Sequence, residues 1–249
     1  MLPVILLPLL TLVHAPFDGF IFPLTEENPW SGQADAGLTF LSGNNTSSTS
    51  SLNAQLEWKL NDTRWLGTSQ YTGIRQENSE DLTSTTSRLY HFGLAYNSLF
   101  GEENEWFFYS KSAARNDTPN GLELRADIGL GLGYRHAWND LSWTSFEFGP
   151  SLIRENLVGA ITEDTFNSRF ALSSEIDLGN SWTWTAKGEY FSSTEDSNDQ
   201  SFTGESGIRW AFHEGWFLQG TAALAWDGTP AVGFGNSDNR FMLTIGMTF

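Results

Sequence analysis

The sequence has no cysteine, which excludes disulfides, thiol nucleophiles and cysteine metal sites. Positive charge is scarce: 13 Lys+Arg stand against 30 Asp+Glu, a formal net charge of −17. Phosphate contacts need clustered basic residues, so no nucleic-acid partner is expected. Charged residues of both signs make up only 17 % of the 249 residues. Beyond the N-terminus, no apolar run approaches the roughly 18–20 residues that a membrane-spanning helix needs. Any membrane span in the rest of the chain must therefore be a strand. What is abundant is glycine (24), phenylalanine (19) and tryptophan (11), an unusual profile for a soluble enzyme.

The run from Leu2 to Val13 is apolar except for Pro3, Pro8 and Thr11, and ends in Val13-His14-Ala15. It has the form of a secretory signal core followed by a small-residue end. It lacks a preceding Lys or Arg, and Pro16 follows directly. The expectation is a signal peptide over 1–15, an N-terminal periplasmic segment over 16–31, and one barrel domain over 32–249.

From Gln33 onward the dominant period is two. In Leu122, Leu124, Ala126, Ile128, Leu130, Leu132 and Tyr134 one face is apolar. The alternating positions are Glu123, Arg125, Asp127, Gly129, Gly131, Gly133 and Arg135. A helix would mix these faces, and a strand separates them. The same alternation predicts twelve strands near 33–42, 49–60, 65–74, 88–99, 106–114, 122–136, 142–153, 166–178, 182–191, 201–212, 216–226 and 240–249. The faces of the third and fifth are mixed. The polar faces carry ionised groups, whose burial in a sandwich core would be costly. Apolar outside and polar inside is the arrangement of a barrel in lipid. The connections alternate between short and longer, as short periplasmic turns and longer external loops do in outer-membrane barrels. The predicted fold is therefore all-β: a transmembrane up-and-down antiparallel barrel.

Nine tryptophans fall at or near short turns: Trp58, Trp65, Trp106, Trp138, Trp143, Trp182, Trp184, Trp210 and Trp216. Indoles favour the headgroup level, so they are expected to form one girdle on the periplasmic side. Phe249 ends the last alternating run. It matches the C-terminal signal by which such barrels are recognised for assembly, which makes the assembly machinery an expected partner.

Several short motifs occur in order. Trp30-Ser31-Gly32 opens the first strand, and Gly37 and Ser42-Gly43-Asn44 close it. Gly131-Leu132-Gly133-Tyr134-Arg135, Glu147-Phe148-Gly149 and Phe249 follow. On these the chain resembles the salt-induced outer-membrane proteins (YdiY-like), a domain of unknown function, over about 30–249. The resemblance implies integral residence in a Gram-negative outer membrane and no settled activity.

Chemistry is sparsely signalled. Gly129-x-Gly131-x-Gly133 lies within a strand, so it is not a nucleotide loop; its glycines would leave room for large opposing side chains. Of the histidines His14, His91, His136 and His213, only His91 is expected on a lumen face, and no catalytic, cofactor or metal residue is assigned. The expected lumen acids are Glu57, Glu123, Asp127, Glu147, Glu175, Asp177, Glu189 and Glu205. The expected lumen bases are Lys59, Arg125, Arg135, Arg169, Lys187, Arg209 and Arg240. They would either pair and fill the barrel or line a hydrated channel. Acidic loop runs at 77–81, 163–164 and 195–199 lack calcium-loop spacing. They read as solvated loops, with cation bridging to lipopolysaccharide as the alternative; outer-membrane lipid is the other expected partner. The functional expectation is a structural or stress-related outer-membrane barrel, with passage of ions or small polar solutes as the activity its lumen would allow. The alternatives are an outer-membrane lipid-modifying enzyme and a soluble periplasmic β-barrel binding module.

Overall fold

The computed structural model describes residues 29–41, 45–78, 84–101, 105–117, 122–157, 162–230 and 236–249. The expected signal peptide, and the periplasmic segment as far as residue 28, lie outside the described residues. Twelve strands follow in order: β1 (Trp30–Leu41), β2 (Asn45–Leu60), β3 (Thr63–Asn78), β4 (Ser84–Phe100), β5 (Trp106–Asp117), β6 (Leu122–Asn139), β7 (Ser142–Leu157), β8 (Glu163–Gly179), β9 (Trp182–Ser193), β10 (Gln200–His213), β11 (Trp216–Asp227) and β12 (Ser237–Thr248). Each pairs antiparallel with its sequence neighbours, and β1 pairs with β12 to close the barrel. The shortest strands have 12 residues. At about 3.4 Å per residue and a tilt near 40°, that reaches roughly 30 Å along the barrel axis, enough to cross an apolar band about 25 Å tall.

The alternation sorts as the sequence predicts along most strands. On β6, Ile128, Leu130 and Leu132 are exposed on the outer wall, while Gly129 and Gly133 are buried inside. Leu94, Phe108, Phe148, Phe170, Ile208 and Phe241 continue the same outer surface on other strands. Apolar area on this scale is stable only against hydrocarbon. The inner wall is polar: Gln70, Thr72, Arg169, Thr185, Glu189, Arg209 and Thr244 are all buried.

The short turns follow their residues. Asn180 and Ser181 both have positive φ, at 52° and 66°, the backbone of a two-residue hairpin turn matched to strand twist. Gly215 takes φ 73° in the β10–β11 turn, a conformation open to glycine at little cost. The connections on the other side are shorter than the sequence suggests. The stretch 75–87 was expected to be a loop, but β3 runs to Asn78 and β4 starts at Ser84. Ladder hydrogen bonds extend a hairpin arm into water without needing an apolar face, so a polar Ser/Thr-rich arm leaves no hydrophobic signature. β1 also begins at Trp30, two residues before the expected barrel boundary.

Local departures have visible causes. The β6–β7 register shifts between Leu122 and Leu124. That bulge at Glu123 turns Leu122 inward, 8 % exposed, against its expected outward parity. The same ladder passes from Gly129↔Ser151 to Leu132↔Phe148, where Pro150 has no N–H to give. Gly133 faces the Phe107 ring and Gly131 faces Tyr109. The glycine run therefore makes room for aromatics that point inward from β5.

Candidate functional site

The interior of the barrel is the candidate site, and it is filled in layers. Near the short turns Leu66, Phe107, Trp143 and Phe217 point inward and are buried. In the long-loop half Leu89, Leu122, Ile153 and Phe191 do the same. β3 and β5 have mixed faces because these inward positions hold Leu66, Phe107 and Tyr109, whereas Ser69, Ser110 and Ser112 face out.

Between the apolar layers runs a belt of paired charges. Lys111 Nζ donates to Glu189 Oε1 at 2.5 Å, and Arg169 Nε donates to the same oxygen at 2.6 Å. Arg169 also donates through a terminal nitrogen to Glu147 Oε2 at 2.8 Å. The guanidinium sits 5.1 Å from the centre of the Tyr109 ring. Side-chain exposure is 10 % for Lys111, 11 % for Glu189 and 4 % for Arg169. Four strands, β5, β7, β8 and β9, supply this belt. Charge-assisted bonds of this geometry are the strong ones, and burial makes each hard to replace with water.

The remaining expected lumen charges are distributed around the belt. Glu57 is buried and accepts two hydrogen bonds from Arg64, at 2.7 and 3.1 Å. Lys59 stands half-buried on the next inward position of β2. Arg125 donates to Glu155 at 2.8 Å and lies 5.4 Å from the Phe191 ring centre. Asp127 is half-buried on the same strand. Arg135 stacks 4.3 Å over Trp143. Glu175, Lys187, Glu205 and Arg240 are buried, and the register sets Glu205 opposite Lys187. Arg209 is 2 % exposed, donates to Gln219 at 2.8 Å and to Gln33 at 3.3 Å, and lies 4.3 Å over Phe217. Two of the set are not interior. Glu123 is exposed at the bulge, where Asn156 donates to it at 2.7 Å. Asp177 is exposed and accepts the Gly179 N–H at 3.0 Å beside a short turn.

Sequence reasoning missed Lys111, Arg64 and Glu155. Arg64 and Glu155 lay outside the expected strand limits, and Lys111 sat on a strand whose faces looked mixed. Pairing across the ladder could have found two of them, because Arg64 is two positions beyond a partner of Glu57 and Glu155 opposes Arg125.

The opposite side of the lumen is mostly neutral. Gln33, Asn53, Gln55, Gln70, Thr221 and Thr244 line a cavity of about 40 Å³ together with Asp35, His91 and Arg209. Asn53 donates to Asp35 at 2.7 Å. A second lumen cavity, beside Lys111, Arg169 and Glu189, is also about 40 Å³. Each has room for about one or two waters.

Most of the tryptophans expected in the girdle are exposed at the short-turn end, but not all. Trp65, Trp106, Trp138, Trp182, Trp210 and Trp216 are exposed at the short-turn end, and Trp58 and Trp184 are half-exposed there. Trp30 joins them, 6.3 Å from Trp58. Trp143 is the correction: it is 5 % exposed and points into the lumen, because it has the odd parity of Glu147 on β7. Trp226 lies at the long-loop end. His91 is buried on the inner wall, and His136 packs edge-on to Trp138 at 4.5 Å in the rim.

The 195–199 run forms an ordered turn in which Asp196 accepts the Asn198 N–H at 2.9 Å. Partial burial, together with Glu155 and Asp227 nearby, holds the Asp199 carboxyl above its ordinary range. Among the described residues no acidic or histidine group has the arrangement of a metal site. Beyond Asn78 the 77–81 run lies outside the described residues.

The profile of one family matches residues 34–249, nearly the whole barrel. The chain belongs to the family described as protein of unknown function, DUF481. No curated protein matches it in sequence. Solved structures similar to this DUF481 barrel are outer-membrane barrels. One is the COG4313 outer membrane channel from Pseudomonas putida F1, with a TM-score of 0.56, 10 % identity, 94 % of this chain covered and 99 % of that one. The NanC porin gives 0.53 at 8 % identity, covering 87 % and 98 %. The translocator domain of the autotransporter NalP from Neisseria meningitidis gives 0.50 at 10 % identity, covering 88 % and 87 %. At these identities the likeness is one of fold. Activity does not transfer with a shared fold.

Proposed function

We propose that this DUF481 chain is an integral outer-membrane barrel whose lumen is held shut across its middle by paired charges, a sealed envelope element and not an open porin. The observation that carries the reading is the Glu189 carboxylate, gripped by Lys111 at 2.5 Å and Arg169 at 2.6 Å with all three side chains buried. Apolar layers on either side of the belt support it, as does the small size of the two lumen cavities among the described residues, about 40 Å³ each. The outer-membrane location rests on the apolar outer wall, the girdle at one end and the likeness to barrels from that membrane. In this reading the short-turn end faces the periplasm, and Phe249 serves as the assembly signal.

A second reading is a narrow channel for ions or small polar solutes. It is favoured by the channel and porin among the similar folds and by the neutral polar wall beside the first cavity. Liposome swelling separates the two. The sealed reading expects wild-type proteoliposomes to exclude small sugars and amino acids as protein-free vesicles do. Solute-selective swelling with the wild type would establish the channel instead. Salt-responsive expression, implied by the resemblance, is a separate proposal, tested by transcript level across osmolarity.

A further inference from the structure

The seam that closes the barrel is shorter than the strands that form it. β1 pairs with β2 along its whole length, from Trp30↔Trp58 to Leu41↔Ser47. β12 pairs with β11 from Trp216↔Met247 to Trp226↔Ser237. Yet β1 and β12 pair with each other only from Gln33↔Thr248 to Gly37↔Thr244. Below that ladder, Gly32 and Phe249 exchange backbone hydrogen bonds of 2.8 and 2.9 Å, which locks the short-turn end. Above it, Leu38 and Leu243 would come next in register, then Thr39 and Met242, and the register does not continue to them. The two edges part just beyond Gly37, where Thr244, Ser51 and the Leu243 carbonyl crowd the glycine.

The parted stretch lies in the long-loop half. From Gly37 to Leu41 it covers about 13 Å of strand, or roughly 10 Å along the barrel axis. A strand edge facing lipid is untenable unless its N–H and C=O groups find partners. The lipid side of the fork is strongly apolar: Leu38 is 63 %, Leu243 57 % and Phe241 75 % exposed. The lumen side is Met242, 7 % exposed, with Thr244 beside the small polar cavity. The fork thus offers hydrogen-bonding backbone at its throat and a greasy ledge outside. A cavity of about 40 Å³ behind it is too small for a headgroup, so a ligand must sit in the fork and not in the lumen.

We propose that the β1–β12 fork is a binding site for an amphiphile with an uncharged, hydroxylated head, a glycolipid-type ligand from the leaflet at the long-loop end. Its head hydroxyls take the place of the missing inter-strand bonds, donating to carbonyls and accepting from N–H groups of Leu38, Phe40, Phe241 and Leu243, the residues whose backbone groups face the seam in the alternation set by Gly32 and Phe249. Its chain lies along Phe241 and Leu243. A hydroxylated head fits because each hydroxyl both donates and accepts, as an edge of alternating backbone groups requires. The site rests on the outer wall being lipid-facing, which also underlies the proposed function, but not on whether the lumen conducts.

The test is backbone NMR of the full chain refolded in dodecylphosphocholine and titrated with dodecyl maltoside. The chain length is the same, and only the maltoside head has hydroxyls. The expected result is saturable shifts of the Leu38, Phe40, Phe241 and Leu243 amides, several-fold larger than at Ala36 in the paired seam or Phe108 on the plain outer wall. Oxidising a Leu38→Cys/Leu243→Cys pair should close the fork and abolish the shifts. Three results would overturn the site: shifts no larger than at Phe108; fork amides already protected from hydrogen exchange as fully as Ala36, meaning the seam is sealed; or shifts that track protein concentration, meaning a second copy pairs with the edge. If the chain needs no detergent to stay folded and monomeric, the lipid-facing premise itself fails, a separate outcome from the other three.

Discussion

Glu189→Ala removes the carboxylate that two buried cations share. In the folded barrel Lys111 loses its 2.5 Å partner, and Arg169 keeps only its 2.8 Å bond to Glu147. Removing one member of a buried pair costs about 3–5 kcal/mol, because an uncompensated charge stays behind. Since Arg169 retains one acceptor, the lower end, about 3 kcal/mol, is expected. Removing both charges in Lys111→Met/Glu189→Leu should recover most of that loss, since apolar side chains of similar volume tolerate the site. Glu195→Ala, at an exposed loop position, should stay within about 0.5 kcal/mol of wild type. The assay is reversible urea unfolding in lipid vesicles, followed by tryptophan fluorescence. A Glu189→Ala midpoint indistinguishable from wild type would mean that water already screens the belt, and the packed-interior argument would collapse.

Three further outcomes follow from the same geometry. Leu130→Arg puts a charge on the outer wall mid-strand and should cost roughly 2–4 kcal/mol in the same unfolding assay; a cost near zero would contradict lipid exposure. Gly133→Ala drives a methyl into the Phe107 ring and should cost about 1–3 kcal/mol, with Phe107→Leu restoring stability in the double variant; no restoration would contradict the β5–β6 register. Brominated lipids should quench Trp65 and Trp182 but spare Trp143 when each is kept as the sole tryptophan, and equal quenching of all three would put Trp143 back in the girdle.

The fold was legible wherever one strand face was uniformly apolar. β6 and β12 are such cases, because lipid imposes a single requirement on every outward position. The interior was only half legible. Alternation tells which residues point inward but not which of them meet across the lumen. Arg169 could be assigned to the inner wall, but its bonds to Glu147 and Glu189 depend on β7 and β9 being its neighbours at particular heights. Trp143 was misplaced because proximity to a turn was allowed to outweigh parity. Lys111 was missed because the barrel is packed inside: with Phe107 and Tyr109 pointing in and Ser110 and Ser112 facing out, the apolar-out, polar-in signal fades on β5. The parted seam left no trace in the sequence, since it concerns two strands at opposite ends of the chain.

The most direct test of the central claim is planar-bilayer conductance, measured on the wild type and on Lys111→Met/Glu147→Gln/Arg169→Met/Glu189→Gln, in which the belt is neutralised. A sealed lumen predicts no discrete conductance steps from the wild type, and none from the variant, whose side chains of similar volume and flanking apolar layers keep the lumen filled. A wild-type barrel that conducts, with a reversal potential that shifts when the belt is neutralised, would contradict the account and make the belt the selectivity filter of an open channel.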